Sequence, residues 1–400
     1  MFVRGRRRLA PACLLDQWVR HAMRVCIVTT EFLGVGATGG IGVGARTLGR
    51  HLAAQGFEVH AVVPRSYLRN PPSIIDGVAT RTYDRWDLRT FNREVRAADS
   101  DVYHCVQASL GTWLVQWAMP DRAHVVECVD PRDWGDWRID FRLRHRNALG
   151  LVPSFVYFGT RPAALSARRA DAVQVPARFL EAKVRRLYGS RTNPQFVPMP
   201  FDAPADLEKS PSPMVAFIGR LVPRKRPEIV LDLAQRFPNV RFVIIGGGGD
   251  GYAGALRRQA AALTNLTFTD FIDQAVDQRL FKHLSQAWIL LNTAAREGLP
   301  LTFIEAAAHG CAILSQCNPD GYASNFGYHV TDGDFARGLE VLLANGNWKL
   351  AGARARQHAM HEHSPATAIK QQQTLYESAL ARSAERMGGA RPNPAPVAAR

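Results

Sequence analysis

The sequence predicts an α/β protein built as two doubly wound domains that face each other across a cleft. Its 400 residues exceed what a single hydrophobic core usually serves, and the 46% hydrophobic content is ample for two. Short apolar runs alternate with stretches of helical spacing, which is the pattern of parallel strands with helical crossovers. That alternation occurs in two series, the second starting near Ser212.

Residues 1–22 open with arginines from Arg4 to Arg8, like the start of a signal peptide, but Asp16 interrupts the short apolar run that follows. They are expected to be a flexible extension. Arg24–Thr30 reads as a buried strand, Gly34–Gly44 as a glycine-rich loop, Ala45–Gln55 as a helix and Phe57–Pro64 as a second strand. Gly34, Gly36 and Gly39 have the spacing of a dinucleotide-binding turn. Against that reading, the strand ends too early, and Pro64-Arg65 supplies no acid to hold a ribose. Asp101–Val106 and Val125–Val129 are further strands, and Asp130 lies at the mouth of the second. His104, alone on its strand, is open to a structural or a ligand role.

Asp133–Gly159 interleaves aromatics with arginines, among them Trp134, Trp137, Phe141, Arg142, Arg144 and Arg146. It suits either an interfacial surface or a helix whose apolar residues pack inward. In the second series, the strand Met214–Ile218 runs into Gly219–Arg226, and Pro227 opens a helix to Phe237. Arg220 and Lys225 can converge there on one diphosphate, the first as a fork of donors and the second as a point charge. Val240–Ile245 is the next strand and Ala253–Leu263 a helix.

The stretch Trp288–Ser315 reads as strand, loop, helix and strand, with Leu301–His309 helical and Gly310 as its stop. Glu297 lies in the loop and Glu305 in the first turns of the helix. A helix N-terminus suits a phosphate, and neighbouring carboxylates suit sugar or ribose hydroxyls. Asp99-x-Asp101 and Asp332-x-Asp334 imitate a metal-binding pair but lack a suitable strand before them, so they are read as chance.

The formal charge of +15 is uneven: +12 in residues 1–200 and +3 in residues 201–400. This predicts an anionic surface partner such as a membrane, unless it reflects only arginine-rich composition. No base-reading motif accompanies the charge, so nucleic acid is not expected. The six cysteines show no zinc or C-x-x-C spacing and read as reduced core thiols of a cytoplasmic protein.

Glu297-Gly298-Leu299-Pro300, Ile304-Glu305-Ala306 and Gly310–Ser315 resemble the E-x7-E signature of retaining glycosyltransferases of family 4, which have the GT-B fold. The resemblance covers roughly residues 23–380. It implies a Rossmann-like acceptor domain (23–200), a Rossmann-like nucleotide-sugar domain (201–365), a helix crossing back to the first domain (366–382) and a disordered tail (383–400). It also implies that Gly39, Gly40 and Gly42 face donor phosphates and acceptor. Gly219, Arg220 and Lys225 would hold the diphosphate, Glu305 the ribose, and Glu297 with Gly298, Leu299 and Pro300 the sugar. The catalytic set would be Arg220, Lys225, Glu297, His104 and Asp130. The last two depart from the family pattern, because Val106 stands where relatives have a second histidine and Asp130 near where they have another.

The expected activity is sugar transfer from a nucleotide-sugar to a glycan or lipid-linked acceptor hydroxyl, with retention and with neither cofactor nor metal. The expected setting is polysaccharide or glycolipid biosynthesis, in the cytoplasm or peripheral on its membrane face. The alternatives are an epimerase of the same fold and a degenerate glycan- or membrane-binding module.

Overall fold

The structure, a computed structural model, describes residues 23–35, 39–65, 70–143, 150–190, 192–272, 277 and 279–388. Residues 1–22, Arg144 and Arg146 lie outside them.

Among the described residues, the first sheet contains β1 (Arg24–Val28), β2 (Glu58–Pro64), β3 (Ile74–Ile75), β4 (Val78–Tyr83), β5 (Val102–Val106), β6 (Ala123–Glu127), β7 (Ala172–Val175) and β8 (Gln195–Phe196). Their spatial order is β3-β4-β2-β1-β5-β6-β7-β8, and only the β3–β4 pairing is antiparallel. The second sheet contains β9 (Met214–Ile218), β10 (Arg241–Ile245), β11 (Leu266–Thr269), β12 (Ile289–Asn292), β13 (Ala312–Ser315) and β14 (Gly327–His329). It is parallel throughout, in the order β11-β10-β9-β12-β13-β14. The chain is thus α/β with two parallel, doubly wound sheets. Central strands such as Val25–Val28 and Ile289–Asn292 are buried along their length, as continuous apolar runs require when helices cover both faces.

In each sheet, the strand order reverses beside the first strand, between β1 and β5 and between β9 and β12. Loops leaving the carboxyl ends of strands at such a reversal form a crevice open to ligands. Gly219–Arg226 follows β9 and Thr293–Pro300 follows β12, so the topology alone brings the basic turn and the acidic loop together.

Two helices start earlier than expected: the one read as Ala253–Leu263 spans Asp250–Gln259 with a 3-10 turn at Ala260–Ala262, and the first helix differs more. The first helix spans Gly40–Ala54 and not Ala45–Gln55, so its N-terminus begins inside the glycine run. Glycine is a poor helix former, but here packing outweighs propensity. Leu48 and Leu52 are buried, and a Cβ on Gly44 or Gly49 would lie 2.8 Å from Met199 or 2.9 Å from Val78.

The long helix Pro365–Arg386 docks on the first sheet and buries Ile369, Leu375, Tyr376 and Ala379 in the same core as Val25, Ile27 and Leu48. Gln372 and Gln174 exchange amide hydrogen bonds of 2.8 and 3.1 Å across that contact. The tail expected from residue 383 starts later, and residues 389–400 lie outside the described residues. The helix continues to Arg386, whose guanidinium bonds Asp171 at 3.1 Å.

The chain enters this helix at His363, which is buried at the junction. Its Nδ1 lies 2.9 Å from the Met199 carbonyl and its Nε2 2.8 Å from the Tyr322 hydroxyl. Burial lowers its pKa to about 4, against the raising effect of Met199. Burial likewise lowers His124 and His309 to about 4. The unfolded chain therefore binds more protons than the folded one once pH falls below the ordinary histidine value. Each of the three should withdraw up to ~1.4 kcal/mol of stability per pH unit on the way down to the folded values. Melting temperature should fall as pH is lowered through that window, and His363→Gln should flatten the slope; a slope unchanged in the variant would refute the assignment.

Candidate functional site

The two sheets enclose a cleft of about 850 Å³. Its floor on the C-terminal side is a basic turn stitched to an acidic loop. The turn passes through Pro223–Lys225 as a single 3-10 turn, and Arg226 takes a left-handed φ of 48°. Thr293 Oγ1 donates to the carbonyls of Lys225 and Arg226 at 2.6 and 3.0 Å, and Ala295 N–H donates to the Arg224 carbonyl at 2.9 Å. Arg226 points away from the cleft and donates to Thr293 O at 2.6 Å and Gln316 Oε1 at 2.9 Å. The neighbours of Lys225 thus differ: Arg220 and Arg224 line the cleft, and Arg226 braces the loop beneath it.

Lys225 Nζ forms an ion pair with Glu297 Oε1. These two residues were expected to serve separate parts of a donor, and the structure places them in direct contact. Glu305 is 2% exposed and lines the cleft from the second turn of the helix Leu301–Ala308. That helix begins after Pro300 with no side-chain cap, and Leu301 and Thr302 face the cleft, so its open end is available to an anion. Its far end is a Schellman stop: Gly310, at φ 66°, donates to Ala307 O at 2.8 Å and Cys311 to Ala306 O at 2.9 Å.

Gly39, Gly40, Gly219, Arg220, Lys225, Glu297, Gly298, Leu299, Pro300 and Glu305 all line this one cleft. Gly42 lies just behind the lining, where a Cβ would approach Glu31 Cβ to 3.2 Å. Glu31, which the sequence reading missed, faces the start of the first helix. A Cβ on Gly39 would lie 2.5 Å from its Oε2. Burial raises the Glu31 pKa, while Arg220, the Gly42 N–H and Arg85 oppose that shift.

The two N-terminal catalytic candidates are corrected. His104 is fully buried beneath the crossing helix and does not line the cleft. Its Nδ1 lies 2.7 Å from the Tyr376 hydroxyl and its Nε2 3.4 Å from Glu127 Oε2, so it helps seat that helix. The reason is register: alternate residues of a central parallel strand all meet helices, and His104 falls under one. Asp130 does line the cleft, but both of its oxygens are engaged by Arg296, at 2.8 and 3.2 Å. Burial opposes its ionisation, yet Arg296 outweighs burial and holds the carboxyl well below its ordinary range. It is therefore a poor proton acceptor.

Arg296 was also missed. It is 6% exposed, belongs to the second domain, and reaches the first domain's Asp130 and Asp140. Beside it, Gly298 meets the Val129 carbonyl so closely that a Cβ would lie 2.4 Å away. Arg296 could have been noticed as an arginine set against the signature glutamate, but its partners are more than 150 residues distant in sequence.

The imitation metal pairs are structural. Asp101 accepts from Arg24 N–H at 2.9 Å, and Asp334 caps the helix Phe335–Leu343. No group of three or more His, Cys, Asp or Glu among the described residues is placed to hold a metal ion. Cys26, Cys105, Cys128, Cys311 and Cys317 are free thiols. No helix among the described residues is long and apolar enough to cross a membrane.

Two family models match consecutive parts of the chain: "Glycosyl transferase 4-like domain" at residues 39–200 and "Glycosyl transferases group 1" at residues 200–347. The chain is 25% identical over 376 residues to a D-inositol 3-phosphate glycosyltransferase of Mycobacterium leprae, covering 82% of this chain and 85% of that protein. It is 32% identical over 105 residues to a protein of the same name from Mycobacteroides abscessus, a match that spans only 24% of that relative's length. Among solved structures, sucrose-phosphate synthase from Thermosynechococcus elongatus superposes with a TM-score of 0.72 at 19% identity, over 90% of this chain and 99% of that one. Anabaena HepE in complex with UDP and glucose superposes with a TM-score of 0.67 at 14% identity, over 89% and 100%. These likenesses favour neither an epimerase nor a non-catalytic binding module. With both domain models matched in series and the signature residues gathered in one cleft between two doubly wound sheets, this chain belongs to the family 4 type glycosyltransferases of GT-B fold.

Proposed function

We propose that the chain transfers a sugar from a nucleotide-sugar to an acceptor hydroxyl with retention of configuration, using protein cations and a helix N-terminus to stabilise the leaving diphosphate. The observation that carries this reading is the convergence of Arg220, the Lys225–Glu297 pair and Glu305 at the open end of the helix Leu301–Ala308. Breaking the anomeric C–O bond builds negative charge on the diphosphate, and prearranged positive groups lower the barrier most where that charge develops. Arg220 and Lys225 supply it from the turn after β9. Glu305, at the base of the cleft, holds ribose hydroxyls, and Glu297 holds the sugar.

The acceptor hydroxyl enters from the first domain, on the side of Glu31 and Gly39. With Asp130 committed to Arg296 and His104 buried elsewhere, neither of the two residues proposed from the sequence is free to act as a nucleophile on that face. Front-face attack, with the leaving phosphate taking the acceptor proton, fits this arrangement.

Arg220→Ala and Glu305→Ala should each weaken nucleoside diphosphate binding by about 1.5–3 kcal/mol, the value of a charge-assisted hydrogen bond. Glu297→Ala should leave that affinity nearly unchanged, since it only releases Lys225, and should cut transfer. Calorimetry with UDP and ADP beside turnover on intact donors separates the roles. Equal loss of nucleotide affinity in Glu297→Ala and Glu305→Ala would reverse the assignment.

Arg296→Met strands Asp130 and Asp140 without their main cation. Truncating one partner of a buried pair typically costs about 3–5 kcal/mol. The variant should melt earlier, and in its folded fraction turnover at saturating donor should fall more than nucleotide affinity does.

The same reading extends to a membrane surface. Trp134 is 69% exposed, Val152 48% and Val156 47%, and they lie on or beside helices of the positively charged half of the chain. The full protein should sediment with anionic vesicles and not with neutral ones, less so as salt rises. Replacing Arg142, Arg144 and Arg146 with Ala should weaken this. Equal binding to neutral vesicles would leave the charge as mere composition.

A further inference from the structure

On the N-terminal side, the cleft continues past the phosphate-binding groups into a lobe walled by Tyr83, Trp86, Leu88, Phe91, Leu114 and Tyr157. Trp86 and Leu88 stand 69% and 58% exposed, in the turn that leads from β4 into the helix Leu88–Ala98. Tyr83 and Phe91 meet edge to face at 4.9 Å and hold the wall together.

A site for a free glycan offers polar side chains to the ligand's hydroxyls. In this lobe, most such groups are already used by the protein. Asp87 caps the helix Leu88–Ala98 through the N–H groups of Arg89 and Thr90, at 2.9 and 3.2 Å. Gln107 accepts from Asp130 N–H at 3.3 Å. Ser154 accepts from Arg132, which also bonds Asp130 and stacks 4.9 Å from the Trp137 ring. What remains for a ligand is mostly apolar wall, the Tyr83 hydroxyl and one cation, Arg85, which lies within electrostatic reach of the Glu31 carboxylate. Arg85 is exposed, lines the cleft, and makes no ion pair among the described residues.

The lobe also connects to the apolar surface. Pro153, Tyr157 and Phe158 of the helix Val152–Phe158 line the cleft, while Val152 and Val156 of the same helix are exposed outside. Trp134 extends that outer face through its contact with Phe155, at 5.8 Å between ring centres.

We propose that the acceptor is an anionic amphiphile, a hydroxyl-bearing head carried on an apolar chain through a phosphate-type link. The chain fills the lobe along Leu88 and Leu114, and Arg85 holds the link. This rests on the glycosyl-transfer reading and narrows its acceptor class from glycan or lipid-linked sugar to the second.

The test is calorimetry on the full chain with n-octyl phosphate below its micelle concentration, ethyl phosphate, maltotriose, UDP and ADP. Octyl phosphate should bind at least about tenfold more tightly than ethyl phosphate, because its extra methylenes leave water on binding. Leu88→Glu and Arg85→Ala, both at exposed positions that spare the core, should each weaken octyl phosphate at least about fivefold and leave nucleotide affinity unchanged. Nucleotide binding with no preference for the octyl chain, with octyl phosphate binding insensitive to both substitutions, or with maltotriose bound in its place would overturn the amphiphile assignment alone. Failure of both nucleotides to bind would overturn the glycosyl-transfer reading itself.

Discussion

The cleft depends on a contact between Arg296 of the second domain and Asp130 of the first, a bidentate pair in which Arg296 is buried and Asp130 is partly so. A buried ion pair contributes little net stability compared with apolar packing, but it is costly to break and demanding in geometry. Arg296 directly precedes Glu297, and Gly298 lies against the backbone of Val129. The facing distance of the two domains and the position of the loop at residues 297–300 in the cleft are therefore set by one short segment. A side chain at position 298 would push the two domains apart at the cleft.

The remaining contacts between the domains follow the same logic at lower cost. Asp320 accepts from the N–H groups of Arg178 and Phe179 at 2.7 Å each, so a carboxylate of one domain caps a helix of the other. The crossing helix carries its own polar anchors, Gln372 to Gln174 and Tyr376 to His104, within an otherwise apolar contact. Buried polar partners of this kind restrict register, since sliding the helix would leave each one unsatisfied.

Within the cleft, electrostatics are divided by source. The second domain contributes side-chain cations and an uncapped helix end, while the first contributes a carboxylate, Glu31, over the start of its own first helix. Lys225 is paired with Glu297, so the cation is held in place and is not an unpaired buried charge. Arg220, by contrast, is exposed and makes no ion pair among the described residues.

Much of this was legible in the sequence. The apolar strands, the basic turn after β9 and the glutamates eight apart are local features, and periodicity, glycine stops and charge spacing are local signals. The strand–helix alternation fixed the topology class, because parallel strands joined by helices admit few arrangements. Whatever depended on long-range pairing was decided only by tertiary structure. No local property separates Arg220 and Arg224, which line the cleft, from Arg226, which braces a loop; the backbone φ of one turn does that. His104, within its strand, looked as plausible a candidate as Asp130 at a strand mouth until the crossing helix covered it. Arg296 looked like an ordinary loop arginine until folding set it against Asp130, because the energy of a charge depends on burial and partners, and a chain reveals neither until it is folded.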